Sequence, residues 1–218
     1  MLSLLHQTVS IPIHGHRLEG ELVIPPDTSA VVLFAHGSGS SRLSPRNQRV
    51  ASILHQHGIG TLLFDLLTQA ESKHYDNRFN IDLLASRLIA ATNWLRQLPE
   101  SVGWRLVYFG ASTGAAAALK AAAMKAGVAA VVSRGGRPDL CNTLSKVSVP
   151  VLLLVGGLDK EVIQLNELAC AQLSGKKKLI IIEGASHLFE EPGKLEEVAE
   201  IAAAWLTDCL GIQSPISN

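Results

Sequence analysis

Hydrophobic positions along the chain fall into two regimes. In Thr8-Val9-Ser10-Ile11-Pro12-Ile13 and again in Leu18-Glu19-Gly20-Glu21-Leu22-Val23-Ile24, apolar and polar residues alternate, with His14-Gly15-His16 between them. Period-two alternation around a glycine turn predicts an antiparallel strand pair. From residue 30 onward, short unbroken runs of Val, Leu and Ile take over. They predict strands over Ala30–Ala35, Ile59–Phe64, Arg105–Phe109, Val128–Val132, Pro150–Val155 and Lys178–Ile182. Such runs suit strands covered on both faces. Segments of helical character lie between and after them, over Pro45–His57, Asn80–Leu98, Thr113–Ala126, Glu161–Leu173 and Gly193–Leu210. In the last, Leu195, Val198, Ile201, Ala202, Trp205 and Leu206 share one face. Strand–helix alternation predicts the α/β class: a mostly parallel, doubly wound sheet, with the two N-terminal strands antiparallel at one edge. The intervals Leu66–Arg78 and Gly135–Val149 read as short loops and leave no room for a lid domain. Without a linker, repeat or compositional break, residues 1–218 read as a single domain.

Composition narrows the partners. The chain has 218 residues, 47% of them hydrophobic and 17% charged, enough to bury a sizeable core. Nineteen basic residues balance nineteen acidic ones. Zero net charge makes no electrostatic case for nucleic acid or an anionic membrane. The apolar runs are too short to span a bilayer. The N-terminus lacks the basic region and apolar core of a signal peptide. Cys141, Cys170 and Cys209 are an odd number without metal spacing, so free thiols in a reducing cytoplasm are expected.

The chemistry is concentrated in Gly110-Ala111-Ser112-Thr113-Gly114. This G-x-S-x-G follows the strand Arg105–Phe109 and precedes an alanine-rich helix. Strand, tight turn with serine, then helix is the setting of a nucleophile elbow, which holds the serine strained and exposed at a helix N-terminus. A serine nucleophile needs a base, and the base needs an orienting acid. Asp159 follows the strand Pro150–Val155, and His187 follows Lys178–Ile182. In a parallel sheet these strand ends share the edge where ligands bind. The chain order Ser112, Asp159, His187 is that of the α/β-hydrolases. The Gly-rich stretch His36-Gly37-Ser38-Gly39-Ser40 ends the first central strand. With it, the backbone amides of Ser38 and Thr113 are the expected oxyanion hole.

On these residues the chain resembles the α/β-hydrolase superfamily, and within it the dienelactone hydrolase-like group. The resemblance runs from about Thr8 to Leu210. It implies the α/β-hydrolase fold, with Ser112, Asp159 and His187 as nucleophile, acid and histidine and His36–Ser40 as the oxyanion loop. The stretches His36–Asn47 and Ser133–Leu140 further resemble hydrolase domains that occur alone or fused to phosphoribosyltransferase domains. Dienelactone hydrolases themselves carry cysteine where this chain has Ser112, which favours ordinary esters.

Each residue also has a plainer reading. Asp159 is a natural cap for the helix at Glu161, and His36 shapes its own loop. His14, His16, His55 and His57 suit turn and helix-end positions better than a metal site. Gly37-Ser38-Gly39 lacks the lysine and hydroxyl of a phosphate loop. Arg42, Arg46, Arg134 and Arg137 belong near the active edge. Either they pair with acids such as Asp65 or Asp139, or one or two of them, with Arg42 and Arg134 the candidates, recognise a substrate carboxylate or phosphate. The expected activity is hydrolysis of small carboxylic esters, thioesters and lactones included, through an acyl-enzyme. No cofactor or metal is expected, and the partner is a small-molecule ester rather than nucleic acid or membrane. An acyltransferase with the same triad and a catalytically silent binding module are the alternatives.

Overall fold

The computed structural model describes residues 4–13, 15–124 and 127–212. Strands β1 (Leu5–Ile13), β2 (His16–Ile24), β3 (Ala30–Ala35), β4 (Gly60–Phe64), β5 (Arg105–Ala111), β6 (Ala130–Arg134), β7 (Val151–Gly156) and β8 (Lys177–Ile182) form one sheet. Their spatial order is β1-β2-β4-β3-β5-β6-β7-β8. β1 pairs antiparallel with β2, and β2 antiparallel with β4, in a register that sets Gly20 opposite Phe64. Every later pairing is parallel. The expected antiparallel edge on a parallel sheet is therefore present. His14, in the predicted hairpin turn, lies outside the described residues.

The helices are α1 (Pro45–Gln56), α2 (Gln69–Ser72), α3 (Ile81–Leu95), α4 (Thr113–Met124), α5 (Lys160–Gln172) and α6 (Lys194–Leu210). The predicted end of the fourth, at Lys125 and Ala126, lies outside the described residues. Side chains of β3 divide the core by alternation. Val31, Leu33 and Ala35 face a cluster with Leu84, Leu88 and Leu95 of α3 and the alanines of α4. Ala30, Val32 and Phe34 face a second cluster with Val50 and Leu54 of α1 and Val198, Ala202 and Leu206 of α6. Burying an aliphatic side chain contributes about 1.5–3 kcal/mol. Both faces of the sheet therefore hold their helices by many such contributions, and the ends of the strands are left to the loops.

One segment departs from expectation. The stretch read as a polar loop, Leu66–Arg78, holds α2 and a 3₁₀ turn over Tyr75–Phe79. Thr68 and Glu71 form a reciprocal capping box: the Glu71 amide donates to Thr68 Oγ1 at 3.2 Å, and the Thr68 amide donates to Glu71 Oε2 at 2.8 Å. Two orphan amides are satisfied at once, which is why so polar a segment still turns. Glu71 also pairs with the buried Arg87 of α3. Between β6 and β7 stand only two short 3₁₀ turns, Pro138–Leu140 and Leu144–Lys146, and no lid domain covers the edge among the described residues. No helix described is long and apolar enough to cross a membrane.

Candidate active site

Ser112 occupies the sharp corner between β5 and α4. Its φ of 52° lies in the left-handed region that non-glycine residues avoid. Close packing on both sides explains the flanking glycines. A Cβ on Gly114 would collide with the carbonyl of Ala35, and one on Gly110 with the backbone of Ala115. Hydrogen bonds hold the turn. The Ser112 amide donates to the Arg134 carbonyl at 3.2 Å, and the Ser112 carbonyl accepts from the amides of Arg137 at 3.2 Å and Ala115 at 3.0 Å. The serine is thus fixed at the start of α4, where the helix dipole favours negative charge.

Asp159 and His187 meet as the chain order predicts. His187 Nδ1 lies 2.6 Å from Asp159 Oδ2. With Nδ1 donating to the carboxylate, Nε2 remains as the acceptor. The other oxygen of Asp159 accepts from the Val162 amide at 3.4 Å, capping α5. Asp159 thus makes both contacts, the helix cap with one oxygen and the histidine with the other. His187 Cε1 stands 3.6 Å from the place where a Cβ on Gly135 would sit. Gly135 directly follows Arg134, whose carbonyl ties down Ser112, so the imidazole stands over the end of β6, the strand beside the one that carries the Ser112 turn. The loop bearing His187 is anchored by Phe189, fully buried at φ 57°, and by the Ser186 amide donating to Glu191 Oε2 at 3.0 Å.

The loop expected to form the oxyanion hole is pinned from below. His36 is buried, and its Nε2 accepts from the Leu66 amide at 3.1 Å. Nδ1 therefore carries the proton and donates to the Gly37 carbonyl at 3.0 Å. Burial pushes the imidazole below its ordinary pKa, against smaller opposing effects of the Gly37 hydrogen bond and Asp65. His36 shapes the loop, as its position suggested. Gly37 passes so close to Ser112 that an added Cβ would meet Ser112 Cβ at 3.3 Å. The Ser38 amide donates to Thr113 Oγ1 at 2.8 Å, which ties the two expected oxyanion donors to each other.

The arginines divide sharply. Arg42 meets Asp65 through its guanidinium at 2.7 Å and its own amide at 2.8 Å. Arg137 grips Asp139 with two bonds, at 2.9 and 2.7 Å. Arg46 reaches Glu190 at 2.9 Å. Arg134 is buried, donates from Nη2 to Asn47 Oδ1 at 3.1 Å, and forms no salt bridge among the described residues. The histidines near the helix end are also engaged: His55 with Thr61 Oγ1 at 2.7 Å and His57 with Glu200 at 2.9 Å. Burial, and to a lesser degree the His6 charge, pushes His55 down to about 4.

A cavity of about 520 Å³ opens beside the oxyanion loop. Its walls include Gly37, Ser38 and Arg42 from the loop region, with Leu67, Arg78 and Leu84 from the α2 segment and α3. These last residues escaped the reading of the sequence. The signal for them was the capping box Thr68-x-x-Glu71.

Comparison with known proteins agrees with this architecture. A family model described as an alpha/beta hydrolase domain matches residues 28–205. A solved dienelactone hydrolase from Anabaena variabilis is 52% identical, superposes with a TM-score of 0.90, and is matched over 94% of this chain and 98% of its own. Est1E from Butyrivibrio proteoclasticus shares the fold at 17% identity, with a TM-score of 0.80 and coverage of 94% and 99%. Two Mycobacterium tuberculosis proteins named as phosphoribosyl transferases are 52% identical over 202 residues, 92% of this chain but 44% of their own length. The chain thus spans under half of those relatives. With the sheet, the serine turn and the family match in agreement, the chain belongs to the α/β-hydrolase domain family, in its dienelactone hydrolase-like group.

Proposed function

We propose that this hydrolase cleaves small carboxylic esters, with thioesters and lactones as chemical neighbours, through an acyl-enzyme on Ser112. The observation that carries this reading is the strained Ser112 turn beside a His187 already bound to Asp159. His187 Nε2 takes the serine proton as Oγ attacks the acyl carbonyl. Asp159 holds the imidazole in the required tautomer and stabilises its charged form. The alcohol departs with that proton, and water repeats the sequence to release the acid. The amides of Thr113 and Ser38 receive the oxyanion, the second after exchanging its bond to Thr113 Oγ1 for one to the developing charge. Losing such a donor costs about 3 kcal/mol of barrier. The cavity beside the loop has the size of a small-molecule site and receives the acyl group. Both nucleophile and proton carrier are side chains, so the reaction as proposed draws on no cofactor.

The phosphoribosyl transfer named for the mycobacterial relatives is assigned, in this reading, to the part of those proteins that the chain does not match. The test is direct. Ser112→Ala abolishes turnover of a short-chain aryl ester and removes labelling by a fluorophosphonate, with the fold unchanged by circular dichroism. A Ser112→Ala protein that still turns over the ester and still takes the label refutes the assignment.

A further inference from the structure

The buried face of α5 consists of Val162, Asn166 and Ala169. An amide in the middle of that apolar stripe is the anomaly. Asn166 is completely buried, and its Oδ1 has no hydrogen-bond partner among the described residues. A buried acceptor left unpaired lowers stability, and an apolar side chain of similar volume would avoid the loss. What the asparagine has in return lies on its nitrogen. Nδ2 donates to the Val162 carbonyl at 2.8 Å and to the Gly136 carbonyl at 3.0 Å. The first bond stays within the helix, whereas the second leaves it. The Gly136 carbonyl and the Arg137 amide belong to one peptide group, and that amide donates to the Ser112 carbonyl at 3.2 Å. Gly136 itself is wedged so tightly that a Cβ there would collide with Ser133 Oγ and Ala115 Cβ. At its other end α5 is capped by Asp159, through the Val162 amide. A run of hydrogen bonds therefore leads from Asp159 through Val162, Asn166 and the Gly136–Arg137 peptide to Ser112. A peptide whose carbonyl accepts a bond is also polarised to donate a stronger one.

We propose that Asn166 is a positioning residue for the Ser112 turn. By holding the Gly136 carbonyl it fixes the peptide that clamps the Ser112 carbonyl, and it ties that turn to the helix that begins at Asp159. Serine and acid are then set at one spacing by one rigid helix, and small displacements of reacting groups are costly to rate. The proposal rests on the ester-hydrolase reading, because it takes Ser112, Asp159 and His187 as the working groups.

Asn166→Leu removes both N–H donors at nearly constant volume. The expected result, with a short-chain aryl ester, is a kcat about tenfold lower at unchanged KM, and labelling by a fluorophosphonate slowed by the same factor. The Arg137 amide should also exchange its hydrogen faster. Ala169→Gly, which weakens the same helix without touching the bond, should lower the unfolding midpoint and leave kcat and Arg137 exchange as in the parent. Asn166→Asp supplies the rescue. Burial beside two carbonyls raises its carboxyl pKa, so the protonated form keeps one donor. Its kcat relative to the parent at the same pH should exceed that of Asn166→Leu at pH 6 and fall as pH rises. Asn166→Leu behaving like Ala169→Gly in kcat, labelling and exchange overturns the proposal and leaves Asn166 a core residue. Should Asn166→Leu fail to fold, the pH dependence of Asn166→Asp decides, and a flat ratio overturns the proposal. A parent that turns over no ester and takes no label refutes the hydrolase reading instead. Arg137 exchange then tests the clamp by itself: faster exchange in Asn166→Leu upholds it, and unchanged exchange removes it.

Discussion

The two flanks of Ser112 use the same residue type for opposite ends. On the β4 side, Arg42 and Arg87 are each matched by an acid, Asp65 and Glu71, and these pairs fasten the loop to the end of β4 and α2 to α3. On the β6 side, Arg134 is as well buried as Arg87 but has no acid among the described residues. A matched cation ties two elements together, whereas an unmatched one is a cost that the rest of the fold offsets. On the proposed mechanism the β4 flank serves stability, and the flank of β6 and β7 serves the chemistry.

The largest test of that division falls on Asp159. Asp159→Asn should lower kcat by up to ~10⁴, because the amide favours the wrong imidazole tautomer. Asparagine caps a helix as well as aspartate does, so the denaturation midpoint should barely move. Asp159→Ala should add a stability loss of about 1 kcal/mol. A large loss of stability in Asp159→Asn would show that the β6 flank is structural after all.

Next in size is Glu71→Ala on the opposite flank. It strips the capping box and leaves Arg87 buried without a partner, which should cost about 3 kcal/mol in urea unfolding. The acid limb has the same sign. Burial raises the Glu71 pKa, but hydrogen bonds from Thr68 and the Arg87 charge outweigh it and hold the carboxyl below its ordinary range. A depressed carboxyl stabilises the fold fully above its unfolded pKa of about 4.3 and loses that contribution as pH falls through the folded value. Urea midpoints measured from pH 6 down to 3 should therefore fall less steeply in Glu71→Ala than in the parent. Equal slopes would remove Glu71 from the account. The smallest effect is expected from Glu190→Gln. Its exposed pair with Arg46 should contribute about 0.5 kcal/mol or less to stability.

Legibility from sequence followed the same divide between local and distant causes. The buried strands were readable because unbroken Val/Leu/Ile runs carry their own signature, as in Val151-Leu152-Leu153-Leu154-Val155. The Ser112 turn was readable because its glycines are demanded by neighbours close in the chain and by the Ala35 carbonyl across the sheet. The pairs Arg42–Asp65 and Arg137–Asp139 were foreseeable as plain anchors. α2 was hidden because four polar residues have no apolar period, and only Thr68 and Glu71 betray it. The isolation of Arg134 was not readable at all. Nothing local marks it, since it depends on which acids the fold brings near and on an α1 asparagine 87 positions away.

One consequence follows from the way β6 grips the nucleophile turn. The Arg134 carbonyl holds the amide of Ser112, and the amide just beyond Gly136 holds its carbonyl, so the corner is clamped front and back. A corner so clamped has nowhere to relax. On the proposed mechanism its strain is set when the chain folds, once, and is present at the start of every turnover.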